Sequence, residues 1–303
     1  MKIYLILFAS LLSVSCESKD SPENQPNITT DGQDSVVMEE EPIEDTTAVE
    51  AKLTLLATHP DIQDGVLVEN GKVYTTCGGL IRKTSIGLYT DSDGFKILSN
   101  EFAGSIDIDS DNEYLYVTNY DDNTIKTYNK STGEVNTITG ELDGPAGIEM
   151  VGDFLYVTNF GAPPVYSGNT VMKIAKDGTK EVFLESSELL RPQGICELNP
   201  KTLIIASKAN LYTLDLESKE LKLIAETGLS VGNITIIEDV IYAAANKHNQ
   251  ILKITLDGDV ESICCDDSDE KLTKPLGIDY DEENNRLIIA ESQVGRLKAL
   301  SLD

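Results

Sequence analysis

The side chains best suited to chemistry in this sequence are polar residues at the ends of short apolar strands. They adjoin either the start of one strand or the end of the next: Asp64, Asn119, Asn159, Gln193, Asn233, Asn246 and Glu291. Carboxylate and amide oxygens are the ligands that Ca²⁺ and other hard cations prefer. We therefore take all seven as candidate ligand-binding residues, with Asp64, Asn159 and Asn246 as candidate metal ligands. The alternative is that they cap strand ends and satisfy turn backbones.

A repeat of forty residues determines where these side chains lie. Leu115-Tyr116-Val117-Thr118-Asn119 returns letter for letter at residues 155–159, and weaker copies continue to the C-terminus. Each copy contains several short runs rich in Val, Ile, Leu, Tyr and Thr, which is typical of strands. A fixed period of this length with several strands per unit indicates the blades of a β-propeller.

Six units align on a small residue before an apolar strand. The aligned positions are Gly65, Ser105, Gly147, Gly194, Asn233 and Gly277. The last unit contains only three strand-like runs, whereas an extra run, Ala51–Thr58, precedes the first unit. Because exposed sheet edges pair with other chains, we expect Lys52–Ala57 to be the outer strand of the last blade. The sequence thus predicts an all-β, six-bladed β-propeller over residues 51–303, closed by an N-terminal outer strand.

The first fifty residues predict export and anchoring. Lys2 and the apolar run Ile3–Leu12, which is too short to span a bilayer, indicate a signal peptide over residues 1–15. Ser15-Cys16 resembles the lipobox of bacterial lipoproteins, which implies lipidation of Cys16, for example with palmitate. A cleaved signal with an incidental Cys is the alternative.

Residues 16–50 predict a disordered tether, because they contain eleven acidic residues, one Lys and little that can form a core. Its start, Glu17-Ser18-Lys19-Asp20, loosely resembles surface-export signals of Bacteroidetes lipoproteins. The expected location is therefore the bacterial cell envelope, lipid-anchored at the outer membrane and facing the periplasm or the surface.

Composition excludes several classes of partner. The formal net charge of −28 disfavours nucleic acid, and the absence of Trp disfavours polysaccharides. The only histidines, His59 and His248, are predicted to lie outside the channel mouth, and no Ser/His/Asp arrangement is visible. Cys77, Cys196, Cys264 and Cys265 lack metal-ligand spacing and are expected to be buried free thiols, with a Cys264–Cys265 disulfide as the alternative.

Two further segments have distinct predictions. Asp107–Asn112 alternates Asp with other residues but lacks the later Glu of a Ca²⁺ loop, so we expect a solvated turn. The insertion Gly161–Asn169 lengthens one loop at the predicted mouth and places Tyr166 at its tip. Loops of this kind often contact ligands.

The repeats resemble known propeller families. "LYVTN" resembles YVTN-type repeats, and Pro-x-Gly-Ile before it is similar to NHL repeats and to six-bladed gluconolactonases, paraoxonases and virginiamycin B lyases. The lactonase resemblance implies a divalent metal held by Asp64 in place of a Glu, and by Gln193 in place of an Asn. The family's Asp falls on Asn119, Asn159 or Asn246, so each match is a substitution.

Three functions remain open at this point. The first is a lipid-anchored binding scaffold in the cell envelope whose mouth takes an envelope protein, a peptide or a small ligand. The second is a lactonase- or esterase-type hydrolase that depends on Ca²⁺ or another divalent cation. The third is a mainly structural role in a surface layer.

Overall fold

The computed structural model describes residues 53–78, 84–264 and 271–302. The signal peptide, Cys16, the tether, Lys52 and Cys265 lie outside these residues. The described chain forms six antiparallel sheets of four strands each. Within the same ranges, no helix is long and apolar enough to cross a membrane.

The strands follow the repeat. The chain begins with β1 (Leu53–Thr58). Sheet I contains β2 (Val66–Glu69), β3 (Lys72–Thr76), β4 (Ile86–Thr90) and β5 (Gly94–Ser99). Sheet II contains β6 (Ser105–Ser110), β7 (Tyr114–Asn119), β8 (Thr124–Asn129) and β9 (Val135–Thr139). Sheet III contains β10 (Pro145–Val151), β11 (Phe154–Asn159), β12 (Thr170–Ala175) and β13 (Lys180–Glu185).

The second half of the domain repeats the same order. Sheet IV contains β14 (Pro192–Asn199), β15 (Thr202–Ser207), β16 (Asn210–Asp215) and β17 (Leu221–Glu226). Sheet V contains β18 (Ile234–Ile237), β19 (Val240–Ala245), β20 (Gln250–Thr255) and β21 (Val260–Cys264). Sheet VI contains β22 (Pro275–Asp281), β23 (Arg286–Glu291), β24 (Arg296–Ser301) and β1. A 3₁₀ turn, Glu282–Asn284, joins β22 to β23.

The sheets are the blades of a six-bladed β-propeller. The first strand of each sheet contacts the first strands of its two neighbours, and β2 contacts both β6 and β22, so the ring is closed. Sheets II and V are three positions apart in this ring of six and therefore lie opposite each other. The predicted outer strand, Lys52–Ala57, corresponds to β1, which pairs antiparallel with β24 (Leu53 opposite Leu300).

The repeated YVTN segment builds the interfaces between blades. Leu115 and Val117 pack into the apolar cluster between sheets I and II, whereas Tyr116 packs into the cluster between sheets II and III. This alternation follows from the period of two along a strand. Thr118 then accepts a hydrogen bond from Asp107 N at 2.9 Å and donates one to Ala146 O of the next blade at 2.7 Å. The motif is therefore architectural.

In blades I, III, IV and VI, the Gly at the aligned position is required by close approach of the next blade. A Cβ on Gly147 would lie 2.1 Å from Gln193 O, and one on Gly277 would lie 1.9 Å from Asp64 O. The register corrects one aligned position. Ile108 faces Val117 as Ile148 faces Val157, so Asp107, and not Ser105, occupies the Gly position of blade II. Sequence alignment failed here because it relied on a small residue that blade II lacks.

The cysteines agree only partly with expectation. Cys77 and Cys196 are buried thiols, as predicted. Cys264 is disulfide-bonded, so the expectation of a free thiol at this position is wrong. Its sequence neighbour Cys265 lies outside the described residues.

Candidate ligand cavity and acidic channel

A cavity of about 590 Å³ opens at one end of the propeller axis, and we call it the mouth cavity. Its floor is formed by the residues that directly precede the Gly position in five of the six blades: Asp64, Ile106, Ala146, Gln193 and Leu276. Its walls come from the loops that follow the second strands or precede the first strands. A volume of this size suits a small organic molecule or a short peptide segment.

Three aromatic side chains form one wall of the mouth cavity. Tyr120 follows β7, Phe160 follows β11, and Tyr166 lies in the insertion after β11. The Tyr120 hydroxyl donates to Gly161 O at 2.8 Å, and its ring meets Phe160 edge to face at 6.3 Å between centroids. Because these contacts fix the rings before any ligand arrives, the wall is preorganised.

Arg191 holds the back of this aromatic wall. Its Nε donates to Tyr166 O at 2.6 Å, and its guanidinium lies about 6 Å from the ring centroids of both Phe160 and Tyr166. Cation–π contacts of this kind favour flat, ordered rings. Tyr166 lines the cavity, which confirms the predicted position of its loop at the mouth, whereas its contact with a ligand stays a prediction.

The opposite wall is polar and basic. Asn246 and Lys247 follow β19, Lys274 precedes β22, and Ser292 follows β23. In the described ranges, Lys247 and Lys274 have no carboxylate within ion-pair distance. Lys274 Nζ donates to Gln293 Oε1 instead. The cavity therefore combines an aromatic wall on blades II and III, which also contains Asp121, with basic groups on blades V and VI.

Only three of the seven residues singled out from the sequence line the mouth cavity: Asp64, Gln193 and Asn246. Asn119 and Glu291 are buried at the ends of their second strands, where each accepts a hydrogen bond from backbone N–H, of Ala103 and Thr273 respectively. Ser207 does the same for Leu190 in blade IV. The last residue of these second strands therefore accepts a hydrogen bond from the segment that precedes the first strand of the same blade. This is the capping role that the alternative interpretation predicts.

The two remaining candidates also lie outside the mouth cavity lining. Asn159 is buried and donates to Thr170 Oγ1 at 2.9 Å. Of the candidate metal ligands, Asp64 and Asn246 thus line the cavity and Asn159 does not. Asn233 lies deeper, on the propeller axis. Among the described residues, no three His, Cys, Asp or Glu side chains are grouped closely enough to ligate one metal ion together.

A second cavity, of about 200 Å³, lies further along the axis, and we call it the channel cavity. Four of its lining residues are acids on the first strands of blades II, III and VI: Asp107, Asp109, Glu149 and Asp279. Glu197 and the thiol of Cys196 also line it. The expectation of a solvated turn at Asp107–Asn112 is therefore wrong for Asp107 and Asp109, which lie in β6 and face the channel.

Asp107 and Asn233 separate the two cavities. They are the only residues with a side chain at the Gly positions of the six blades, and blades II and V lie opposite each other. Asn233 Nδ2 donates to Asp107 Oδ1 at 3.0 Å, which bridges the axis. Residues one position before this level line the mouth cavity, and residues two positions after it line the channel cavity. The bridge thus limits how deep a mouth ligand can reach.

Three channel carboxylates also form hydrogen bonds to the neighbouring blade. The innermost strands have an unpaired edge that faces the axis, and their N–H groups need acceptors. Asp109 Oδ2 accepts from Met150 N at 2.6 Å, and Asp279 Oδ2 accepts from Val68 N at 2.7 Å. Glu149 accepts from Glu197 N in the same way. Each carboxylate therefore accepts a hydrogen bond from a backbone N–H group of the neighbouring first strand that has no partner within its own sheet.

Burial makes these carboxyl groups hard to ionise. Desolvation raises the pKa of Asp107 to about 7 and those of Asp109 and Asp279 to about 6. Desolvation, followed by repulsion from Asp109, raises the pKa of Glu149 well above its usual range. The groups face one another across a small cavity, so each negative charge opposes ionisation of the next.

Comparison with known proteins identifies the fold. No protein-family model and no curated protein matches the sequence. Among solved structures, a gluconolactonase from Xanthomonas campestris is similar, with a TM-score of 0.68 and 14% identity over 84% of this chain and 90% of that one. A catalytically inactive virginiamycin B lyase from Staphylococcus aureus with quinupristin gives a TM-score of 0.60 and 17% identity over 84% and 100%.

A protein of unknown function from Bacteroides thetaiotaomicron gives a TM-score of 0.64 and 13% identity over 82% of this chain and 72% of that one. At these identities the likeness shows the fold alone. The chain is a six-bladed β-propeller whose structural neighbours are gluconolactonase-like and virginiamycin B lyase propellers.

Proposed function

We propose that the chain is a binding protein whose mouth cavity takes a small amphipathic organic ligand. The observation that supports this proposal is the preorganised aromatic wall of Tyr120, Phe160 and Tyr166 facing polar groups across about 590 Å³. An apolar ring or branched chain of the ligand would pack on this wall. Its polar groups would contact Gln193 and Asn246, and an acidic group would meet Lys247 and Lys274.

Binding without catalysis fits the lining better than a hydrolase does. Among the described residues, no His lines the mouth cavity, and both histidines lie elsewhere. His59 stacks against Phe95 with ring centroids 4.8 Å apart, and His248 is in the exposed turn after β19. A site that holds a ligand against fixed rings and a few polar groups needs no proton-transfer group.

The test is thermal-shift screening of the purified chain against aromatic and branched aliphatic acids, amides and short peptides, followed by calorimetric titration of the hits. Truncation of a buried aromatic contact typically weakens binding at least about tenfold. We expect that loss in Phe160→Ala. Phe154→Ala is the matched control, because Phe154 is an exposed ring on β11 outside the cavity. Hits that bind Phe160→Ala as tightly as the wild type would overturn the proposal.

A metal-dependent lactonase or esterase is the second candidate. It is favoured by the fold likeness to a gluconolactonase and by Asp64 and Asn246, which line one cavity. Lactone and ester turnover measured with added Ca²⁺, after EDTA, and in Asp64→Ala distinguishes the two. Turnover that EDTA and Asp64→Ala both abolish would establish the hydrolase, whereas ligand binding without turnover would leave the binding protein.

We also propose that the chain is anchored to the cell envelope through lipid on Cys16, with residues 17–50 as the spacer. The support is the sequence alone: an apolar run that ends in Ser15-Cys16, followed by an acidic segment. Metabolic labelling with palmitate and membrane fractionation test it. Cys16→Ser should lose both the label and the membrane association. Retained membrane association in the variant would contradict lipid anchoring.

A further inference from the structure

The channel cavity gathers buried carboxyl groups without a basic side chain among them, although backbone N–H groups, the Asn233 amide and the Thr235 hydroxyl donate to their oxygens. Asp107, Asp109, Glu149 and Asp279 line it, and no Lys or Arg of the described ranges does. The nearest basic group, Lys130, lowers the pKa of Asp109 but binds Glu69 Oε2 at 2.6 Å, outside the cavity. Burial raises the pKa of the Cys196 thiol, so the thiol stays neutral and adds no further negative charge. Ionised carboxylates in such a site need a counter-charge.

An orphaned amide oxygen points to the same need independently. Asn233 is 4% exposed, and its Oδ1 has no hydrogen-bond partner among the residues that the structure describes. Its Nδ2 is committed to Asp107 Oδ1. A buried acceptor without a donor costs about 1–3 kcal/mol in protein interiors, so this oxygen calls for a proton donor or a cation beside it.

We propose that the channel cavity binds one hydrated divalent cation, Mg²⁺ or Ca²⁺, between the carboxylates of blades II, III and VI and the Asn233 amide oxygen. The ion keeps most of its water, because no three acidic side chains of the described residues are close enough to ligate it together. About 200 Å³ leaves room for an ion and several waters, since each water occupies about 30 Å³ in the liquid.

Protons compete for the same groups. At about pH 5 the carboxyls of Asp107, Asp109 and Asp279 are largely protonated, and the cavity has little charge to offer a cation. Above about pH 7 the protons leave and the cation takes their place. The proposed cation site is separate from the mouth cavity. Asp64 lines the mouth cavity, on the other side of the Asp107–Asn233 bridge.

The test uses the purified chain stripped with EDTA and returned to metal-free buffer. We expect saturable binding of Mg²⁺ or Ca²⁺ at about pH 8. The melting temperature should rise by about 5–10 °C at a cation concentration near a hundred times Kd. At about pH 5 both effects should disappear. Calorimetric titration of the wild-type chain with the cation, in buffers of different ionisation enthalpy, should show that protons are released on binding.

Variants then locate the ion. Glu149→Gln keeps an acceptor for Glu197 N but removes a carboxylate that the cation would use, so it should weaken cation binding at least tenfold. Asp153→Asn, at an exposed turn between β10 and β11, should leave the binding unchanged. Cation-independent melting at about pH 8 would show that the channel holds only protons and overturn the proposal. Loss of binding in Asp64→Asn but not in Glu149→Gln would place the ion in the mouth instead.

Discussion

At the scale of single residues, side-chain type alone did not separate ligand groups from structural groups. Asn119, Asn159 and Glu291 have the oxygens that a metal or ligand site needs, and they occupy the positions expected for one. In the structure Asn119 and Glu291 accept hydrogen bonds inside the blade, and Asn159 donates one there, while its Oδ1 has no hydrogen-bond partner among the described residues. Glu291 is fully buried and lies 2.6 Å from Arg296 Nε and 3.6 Å from Lys298 Nζ.

Glu291→Ala tests the structural role directly. Removal of one partner from a buried ion pair leaves uncompensated charge, so we expect the free energy of unfolding to fall by about 3–5 kcal/mol. Urea denaturation measures it, with Glu282→Ala, an exposed acid in the 3₁₀ turn, as the control. Ligand affinity at the mouth should not change in the folded variant. Unaltered stability together with lost ligand binding would instead restore Glu291 as a ligand-binding residue.

At the scale of elements, the strands were predictable almost to the residue because each blade repeats one pattern. The sequence pattern predicts the third strand of blade V over Gln250–Thr255, which are the bounds of β20, and the second strand of blade I over Lys72–Thr76, which are the bounds of β3. The error in blade II arose where Asp107 replaces the small residue that anchors the alignment. Only the pairing of Ile108 with Val117 reveals the replacement, because register is a property of two strands and not of one.

The Thr of the repeat provides the test at this scale. Thr158 Oγ1 accepts from Gly147 N at 2.9 Å and donates to Gln193 O of the next blade at 2.8 Å. Thr158→Val keeps the shape but leaves both backbone groups unpaired, so it should lower the free energy of unfolding by about 1–3 kcal/mol. Thr137→Val on the exposed outer strand β9 is the control and should have little effect. Equal effects in the two variants would show that the two hydrogen bonds of Thr158 contribute nothing to stability.

At the scale of the whole molecule, the channel brings together residues that no local pattern connects. Asp109, Glu149 and Asp279 come from blades II, III and VI and meet only after the ring closes. The sequence predicts a solvated turn at Asp109, and Glu149 and Asp279 have no feature that distinguishes them from other polar residues. The mouth cavity is similar, because Tyr120 and Phe160 share one repeat position but become a wall only beside Tyr166. The sequence could therefore predict the frame and the mouth loop, but not the acidic channel.

The acidic channel also predicts how stability depends on pH when no divalent cation is present. A carboxyl whose pKa is higher in the folded state stabilises the fold at low pH, and this contribution is lost as pH rises toward the folded pKa. For Asp107 the pKa rises from 3.8 to about 7, a difference on the order of 4 kcal/mol. Since domains are stable by only about 5–15 kcal/mol, the effect should be readily measurable.

Other carboxyls set the acid limit. At Asp111, hydrogen bonds from Lys176 and from backbone N–H groups outweigh the effect of burial and lower the pKa. Groups of this kind stabilise the fold above about pH 4 and lose that contribution as pH falls further. In EDTA we therefore expect the free energy of unfolding to be greatest near about pH 5 and to decline toward both pH 8 and pH 3.

Urea denaturation across this range measures the profile. Asp107→Asn removes one titrating group while keeping an oxygen acceptor, so the decline between about pH 5 and pH 8 should become shallower. Asp153→Asn, at an exposed turn between β10 and β11, should reproduce the wild-type slope. A wild-type profile that is flat between pH 5 and pH 8 in EDTA would mean that the channel carboxyls do not change protonation there. The channel would then act only as a set of inter-blade hydrogen-bond acceptors, with no excess negative charge for a cation to neutralise.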